Sequence, residues 1–167
     1  MNLVLGLDIE WVRLRGHTGQ RNKSVLQLSL AHKCMIFQFF DCDDKDDVPD
    51  SLDDKRIIFV GSGINQDARK LWVDWGLDVA RSEDLAGLAE YKLGREDLYK
   101  YGLKFLMLEV LGKDLPKPQG ITLSRSWDGA LTENQIMYAC LDAYASFKLG
   151  MELRRRKKVN GFNSGEI

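Results

Sequence analysis

Three apolar, strand-like runs crowd into the first forty residues: Leu3–Trp11, Val25–Ala31 and Lys33–Phe40. The last two are separated by little, and strands joined by so short a link pair antiparallel. A meander of three strands is therefore expected at the start. The link from Arg13 to Lys23 carries Arg13, Arg15, His17, Arg21 and Lys23, a basic loop between the first two strands. Residues 41–54 then hold eight aspartates. Arg56–Val60 is a continuous apolar run, the pattern of a strand covered on both faces. Gly61-Ser62-Gly63 breaks it, and Ile64–Trp75 follows with helical spacing.

The second half reads as helices. A short fifth strand is expected at Leu77–Ala80, with helices at Ser82–Leu93 and Leu98–Leu111. The proline- and glycine-containing stretch Gly112–Trp127 reads as an irregular loop. Thr132-Glu133-Asn134-Gln135 is a capping box opening a helix to about Lys157. A meander followed by strand–helix units gives an α/β layered domain with a mixed sheet and helices on both faces. At 167 residues, one domain with one core is expected over 1–158, with a frayed tail at 159–167.

Asp8 and Glu10 interrupt the first strand two residues apart, so both point to one face. Either that face is solvated, or the two acids need a cation to offset their burial. Tyr138 and Asp142 are four residues apart, one above the other on a helix rich in small residues. Asp142 either lies on a solvent stripe or meets a partner. Asp67, in a helix first turn, is explained equally by the helix dipole. Mg²⁺ and Mn²⁺ want oxygen ligands. Two such ions about 4 Å apart drive in-line phosphodiester displacement. That chemistry needs several converging acids and neither histidine nor cysteine. The chain has only His17 and His32, and Cys34, Cys42 and Cys140 show no close pairing, so a disulfide framework is not expected.

These residues fall into three ordered motifs: Gly6-Leu7-Asp8-Ile9-Glu10-Trp11; Phe59 through Asp67, followed by Lys70-Leu71; and Tyr138 through Ser146. Together they resemble the DEDDy 3′–5′ exonucleases, which have the ribonuclease H-like fold, and in particular the Werner-syndrome-type exonuclease domains and their small plant relatives. Leu26-Gln27-Leu28, Gly102-Leu103-Lys104 and Ser126-Trp127 match supporting stretches. The resemblance covers roughly residues 3–152. It implies two divalent ions, Mg²⁺ or Mn²⁺. Asp8, Glu10 and Asp142 would hold the inner one. Asp67 would hold the second through water, with Asp8 reaching both. Tyr138 would orient the attacking water, as a positioner and not a base, since a free phenol titrates near about 10. The substrate implied is the 3′ end of DNA or RNA, and the product a nucleoside 5′-monophosphate. In that family a helix and an edge strand usually precede the first motif. Here the motif begins at Gly6: either the preceding segment is trimmed from this sequence, or it is missing, which could leave a strand edge for a homo-oligomer. No helicase domain follows in this sequence, so any unwinding partner is expected to act in trans.

Net charge is −1, so no global field steers a polyanion, and local basic groups must do so. Arg13, Arg15, Arg21 and Lys23 are candidate phosphate contacts or a solvated hairpin tip. Arg125 and Trp127 precede the last helix. Trp127 is either a stacking platform for a terminal base or core, and Trp11 reads as core. The aspartate run lacks the glycine and glutamate of an EF-hand at loop positions six and twelve, and reads as solvated. Arg154–Lys158 reads as a solvated helix end before a nuclear address or a phosphate contact. Gly61-Ser62-Gly63 is not a dinucleotide fingerprint, because Gln66 stands where a third glycine belongs. A nucleic-acid-binding module that kept the fold and lost catalysis is the remaining rival, and the intact acid set weighs against it. The first residues lack a basic stretch and no run is long enough to span a membrane, so an intracellular setting, nuclear or cytoplasmic, is expected.

Overall fold

The computed structural model describes residues 2–11, 23–40, 48, 50–116, 127 and 129–159. Five strands form one mixed sheet: β1 (Leu3–Trp11), β2 (Ser24–Leu30), β3 (Lys33–Phe39), β4 (Ile57–Gly61) and β5 (Ser82–Asp84). Their spatial order is β3-β2-β1-β4-β5. β1, β2 and β3 pair antiparallel as the expected meander, while β4 runs parallel to β1 and β5 parallel to β4. β1 is thus central, with the meander on one side and the strand–helix units on the other.

Alternation along β1 divides the core in two. Leu5, Leu7 and Ile9 face helix α1 (Ile64–Trp75) and pack with Leu26, Leu28, Phe39, Phe59, Leu71 and Trp75. On the opposite face Val4, Ile58 and Val60 pack against α2 (Leu85–Leu93), α3 (Leu103–Leu111) and α4 (Glu133–Arg155). β4 is buried along its whole length, as its unbroken apolar run requires.

α4 crosses β1 at Gly6. A Cβ there would lie 2.0 Å from the Ala143 carbonyl oxygen and 2.6 Å from the Phe147 amide nitrogen, so only glycine lets the helix backbone come so close. Gly150, two turns on from Ala143, meets Val60 in the same way, with 2.6 Å from a built Cβ to Cγ2. α4 opens with the expected capping box. Thr132 Oγ1 accepts from the Gln135 amide at 3.3 Å, and the Thr132 amide donates to Gln135 Oε1 at 2.9 Å.

Several expectations need correction. The fifth strand lies at Ser82–Asp84 and not at Leu77–Ala80. The apolar character of 77–80 serves the α1 side of the core, where Val79 is buried and Leu77 partly so. Pairing to β4 begins only with the Phe59 amide donating to the Arg81 carbonyl at 2.9 Å. The next helix therefore starts at Leu85 and not Ser82. Its N-cap is Asp84, whose Oδ1 accepts from the Ala86 and Gly87 amides. The run Leu98–Leu111 is two pieces, a 3₁₀ turn over Glu96–Lys100 and α3, because Tyr101 and Gly102 are extended. α4 ends at Arg155, two residues short of expectation. Most of the aspartate run and the tail from residue 160 lie outside the described residues.

Candidate active site

β1 ends at the same edge of the sheet where α1 begins, and α4 lays its first half across that edge. This brings the acids together. Asp8 and Glu10 leave β1 on the α4 face. Asp142 meets them from α4, and one carboxylate oxygen of each of the three lies within 4.8 Å of the others. Asp142 is 7% exposed, which removes the solvent-stripe reading. Tyr138, one turn earlier and buried, lies close enough to the Asp142 carboxylate for that acid to raise its phenol. The approach of α4 that creates this cluster is the one Gly6 permits, two residues before Asp8.

Asp67 stands outside the three-carboxylate cluster yet close enough to act on Asp8 electrostatically. It belongs to the first turn of α1, on the far side of the sheet, and is held from that side. The Trp11 indole Nε1 donates to Asp67 Oδ1 at 2.9 Å. Lys70 Nζ sits 5.0 Å from the centroid of the Trp11 ring. Sequence alone reads Trp11 as a core residue and Lys70 as the tail of a motif. The available signal is position: Trp11 follows Glu10 directly, so it faces away from the acids and toward α1. Gln27 is also nearer the site than its sequence context implies. It pairs with Asp8 across β1 and β2, shares its face, and donates from its amide to the Val25 carbonyl at 2.7 Å.

The electrostatics at Asp8 are those of a buried acid among acids. Burial, then Glu10, Asp142 and Asp67 in turn, push the Asp8 carboxyl well above the usual range. Burial raises Asp67 as well, opposed by the Trp11 N–H and by Lys70. Burial and the three acids push the Tyr138 phenol upward, so it stays protonated at neutral pH. A set of hard carboxylate oxygens, converging and mutually repelling, fits Mg²⁺ or Mn²⁺ in donor type and charge. It does not fit zinc's preference for nitrogen and sulfur.

The candidate substrate contacts fare differently. Arg13, Arg15, Arg21 and Arg125 lie outside the described residues. Lys23 is described, with Nζ 5.4 Å from the Phe40 ring centroid. Trp127 is 3% exposed and packs with Val25, Tyr138 and Ala139. This is the core role, and a base could stack on it only if that cluster opened. Among the described residues no helix is long and apolar enough to cross a membrane.

Residues 1–158 match a family model described as 3′–5′ exonuclease. A curated "3′-5′ exonuclease" of Arabidopsis thaliana is 32% identical over 147 residues, covering 87% of this chain and 50% of that protein. The bifunctional 3′-5′ exonuclease/ATP-dependent helicase WRN of Mus musculus is 30% identical over 152 residues, covering 90% of this chain and 11% of that one. The chain thus spans about half, or much less, of the length of these curated relatives. Among solved structures, Brucella melitensis NrnC superposes with a TM-score of 0.73 at 21% identity, covering 93% of this chain and 73% of that one. At that identity the likeness speaks for the fold alone.

Proposed function

This chain belongs to the 3′–5′ exonuclease family, and from that premise we propose that it removes nucleotides from the 3′ ends of DNA or RNA by a two-metal-ion hydrolysis, releasing nucleoside 5′-monophosphates. The observation that carries the proposal is the cluster of Asp8, Glu10 and Asp142, three carboxylate oxygens within 4.8 Å of one another, with Tyr138 beside Asp142.

In this reading Asp8, Glu10 and Asp142 hold one divalent ion, and Asp67 with Asp8 holds a second. When bound, such ions make water acidic enough to attack and take up charge on the scissile phosphate. The chain's own residues supply the geometry. Tyr138 keeps its proton and, beside Asp142, orients the attacking water in line with the departing 3′ oxygen. Burial of the cluster strengthens each electrostatic contact there. Lys23, with Arg13, Arg15 and Arg21, is the candidate set for holding the backbone of the strand. Such contacts position without reading sequence.

The test uses 5′-labelled single-stranded and duplex DNA and RNA with Mg²⁺ or Mn²⁺. A ladder shortened from the 3′ end is expected, and it should vanish with chelator and in Asp8→Ala and Asp142→Ala. Folded protein with metal that gives no ladder on any of these substrates would leave the rival, a silent binding module of the same fold.

A further inference from the structure

Asp67 is reached by a fixed chain of contacts on the side of β1 that the three clustered acids do not use. Trp11 occupies the last position of β1 and is partly buried against the α1 core. Its indole N–H is spent on Asp67 Oδ1 at 2.9 Å, across 56 residues of sequence. Lys70, one turn further along α1, places its ammonium 5.0 Å from the centroid of the same ring, within cation–π range. The ring is thereby pinned between a cation and the core, and its single donor has one acceptor. An indole N–H is neutral and donates only. It can fix a carboxylate without competing as a charge for whatever that carboxylate holds. With Oδ1 so engaged, Asp67 is disposed to offer its other oxygen, as a one-oxygen ligand.

We propose that Trp11 is a positioning residue for the divalent ion at Asp67, orienting that carboxylate through its indole N–H, with Lys70 clamping the ring. This rests on the two-ion reading above. It assigns the outer support of the second ion to the residue directly after Glu10, so one strand end serves both ions from its two faces. Partners of this kind orient the ligand that touches the metal, and their loss typically weakens metal binding by about 10- to 100-fold.

Trp11→Phe keeps an aromatic ring, its burial and its contact with Lys70 while removing the N–H. Mn²⁺ binding to wild type and variant is measured by calorimetry and by electron paramagnetic resonance, without substrate. Two binding steps are expected in the wild type. In Trp11→Phe the weaker step falls by about 10- to 100-fold and the tighter step, at Asp8, Glu10 and Asp142, is unchanged. The Mn²⁺ concentration for half-maximal nuclease activity rises with it, and kcat recovers at saturating Mn²⁺. A purely structural hydrogen bond would instead lower the melting temperature of the metal-free protein and leave both Mn²⁺ constants alone, and that result overturns the inference. A wild type that binds fewer than two ions overturns the two-ion reading and this inference together, so the two failures are distinguishable. Should Trp11→Phe not fold, the indole N–H resonances of ¹⁵N-labelled wild type carry the test. One of them should shift on Mg²⁺ saturation and lose that shift in Asp67→Asn. Indole resonances all indifferent to Mg²⁺ would refute the proposal.

Discussion

Replacing Asp8 by asparagine should make the metal-free protein more stable. The Asp8 carboxylate has an oxygen within 4.8 Å of oxygens of both Glu10 and Asp142. At an effective dielectric of about 20, one like-charge pair at that separation costs about 3.5 kcal/mol. Two such pairs would exceed what the native state has to bear, because Asp8 can take up a proton instead. For a carboxyl with an ordinary pKa of about 3.9, that costs about 4 kcal/mol at pH 7. The strain stored at Asp8 is therefore capped near that value. An asparagine in its place would have nearly the same shape and no charge, and its side-chain oxygen could still accept the backbone hydrogen bond from Ile9. Asp8→Asn should stabilise the chelated protein by about 2–4 kcal/mol. For a chain of this size that is a rise in melting temperature of about 5–10 °C. Thermal scans at pH 7 with chelator check it. Adding Mn²⁺ to about 100 times its dissociation constant should then return about 2.7 kcal/mol to the wild type and little to the variant, so the two curves converge. A variant that melts below wild type in chelator would refute the reasoning. It would mean that Asp8 is held by favourable contacts and that the cluster is not frustrated without a cation.

Other outcomes follow from the same geometry. Because the native Asp8 pKa is raised above its unfolded value, the native state binds the extra proton. Stability of the metal-free protein should therefore fall as pH rises from about 4 through the raised native value, and saturating Mg²⁺ should flatten that slope in urea titrations. Tyr138→Phe should lower kcat by about 100-fold while leaving Mn²⁺ affinity unchanged, because the phenol positions water and binds no ion; steady-state kinetics with calorimetry separates the two. Gly6→Ala should cost about 3 kcal/mol or more, since its new Cβ would meet helix backbone at 2.0 Å. Gly150→Ala should also destabilise in the same denaturation assay, by about 1–3 kcal/mol, since its Cβ would lie 2.6 Å from Cγ2 and 3.0 Å from Cβ of Val60, a fully buried β-branched side chain.

The sheet and the acids are legible in the sequence for the same reason: both are periodic. Alternation places Asp8 and Glu10 on one face, and the four-residue spacing stacks Tyr138 on Asp142. What stays hidden is non-periodic. The start of α2 escapes a sequence reading because Ser82–Asp84 finds its role only beside β4, and Asp84 is a cap whose function depends on where the preceding strand ends. The apolar stretch Leu77–Ala80 resembles a strand because burial under a helix and burial in a sheet leave the same composition. Trp11 resembles core because an indole has both an apolar body and a donor, and only the arrival of α1 shows where the donor goes. Asp67 is legible as a motif residue, but its place outside the tight carboxylate cluster is not.

The candidate site is also assembled from distant parts of the chain. Asp8 and Glu10 come from β1, Asp67 from the helix after β4, and Asp142 from α4, which must close against Gly6 before the third carboxylate of the cluster arrives. A ribosome-bound fragment that ends short of α4 has no such cluster, however well its meander has formed. Contacts so far apart in sequence are slow to form, and a cation can reward only the finished arrangement. The cluster would therefore form abruptly, at the moment α4 docks on β1. A divalent cation would then favour molecules in which α4 has docked over those in which it has not.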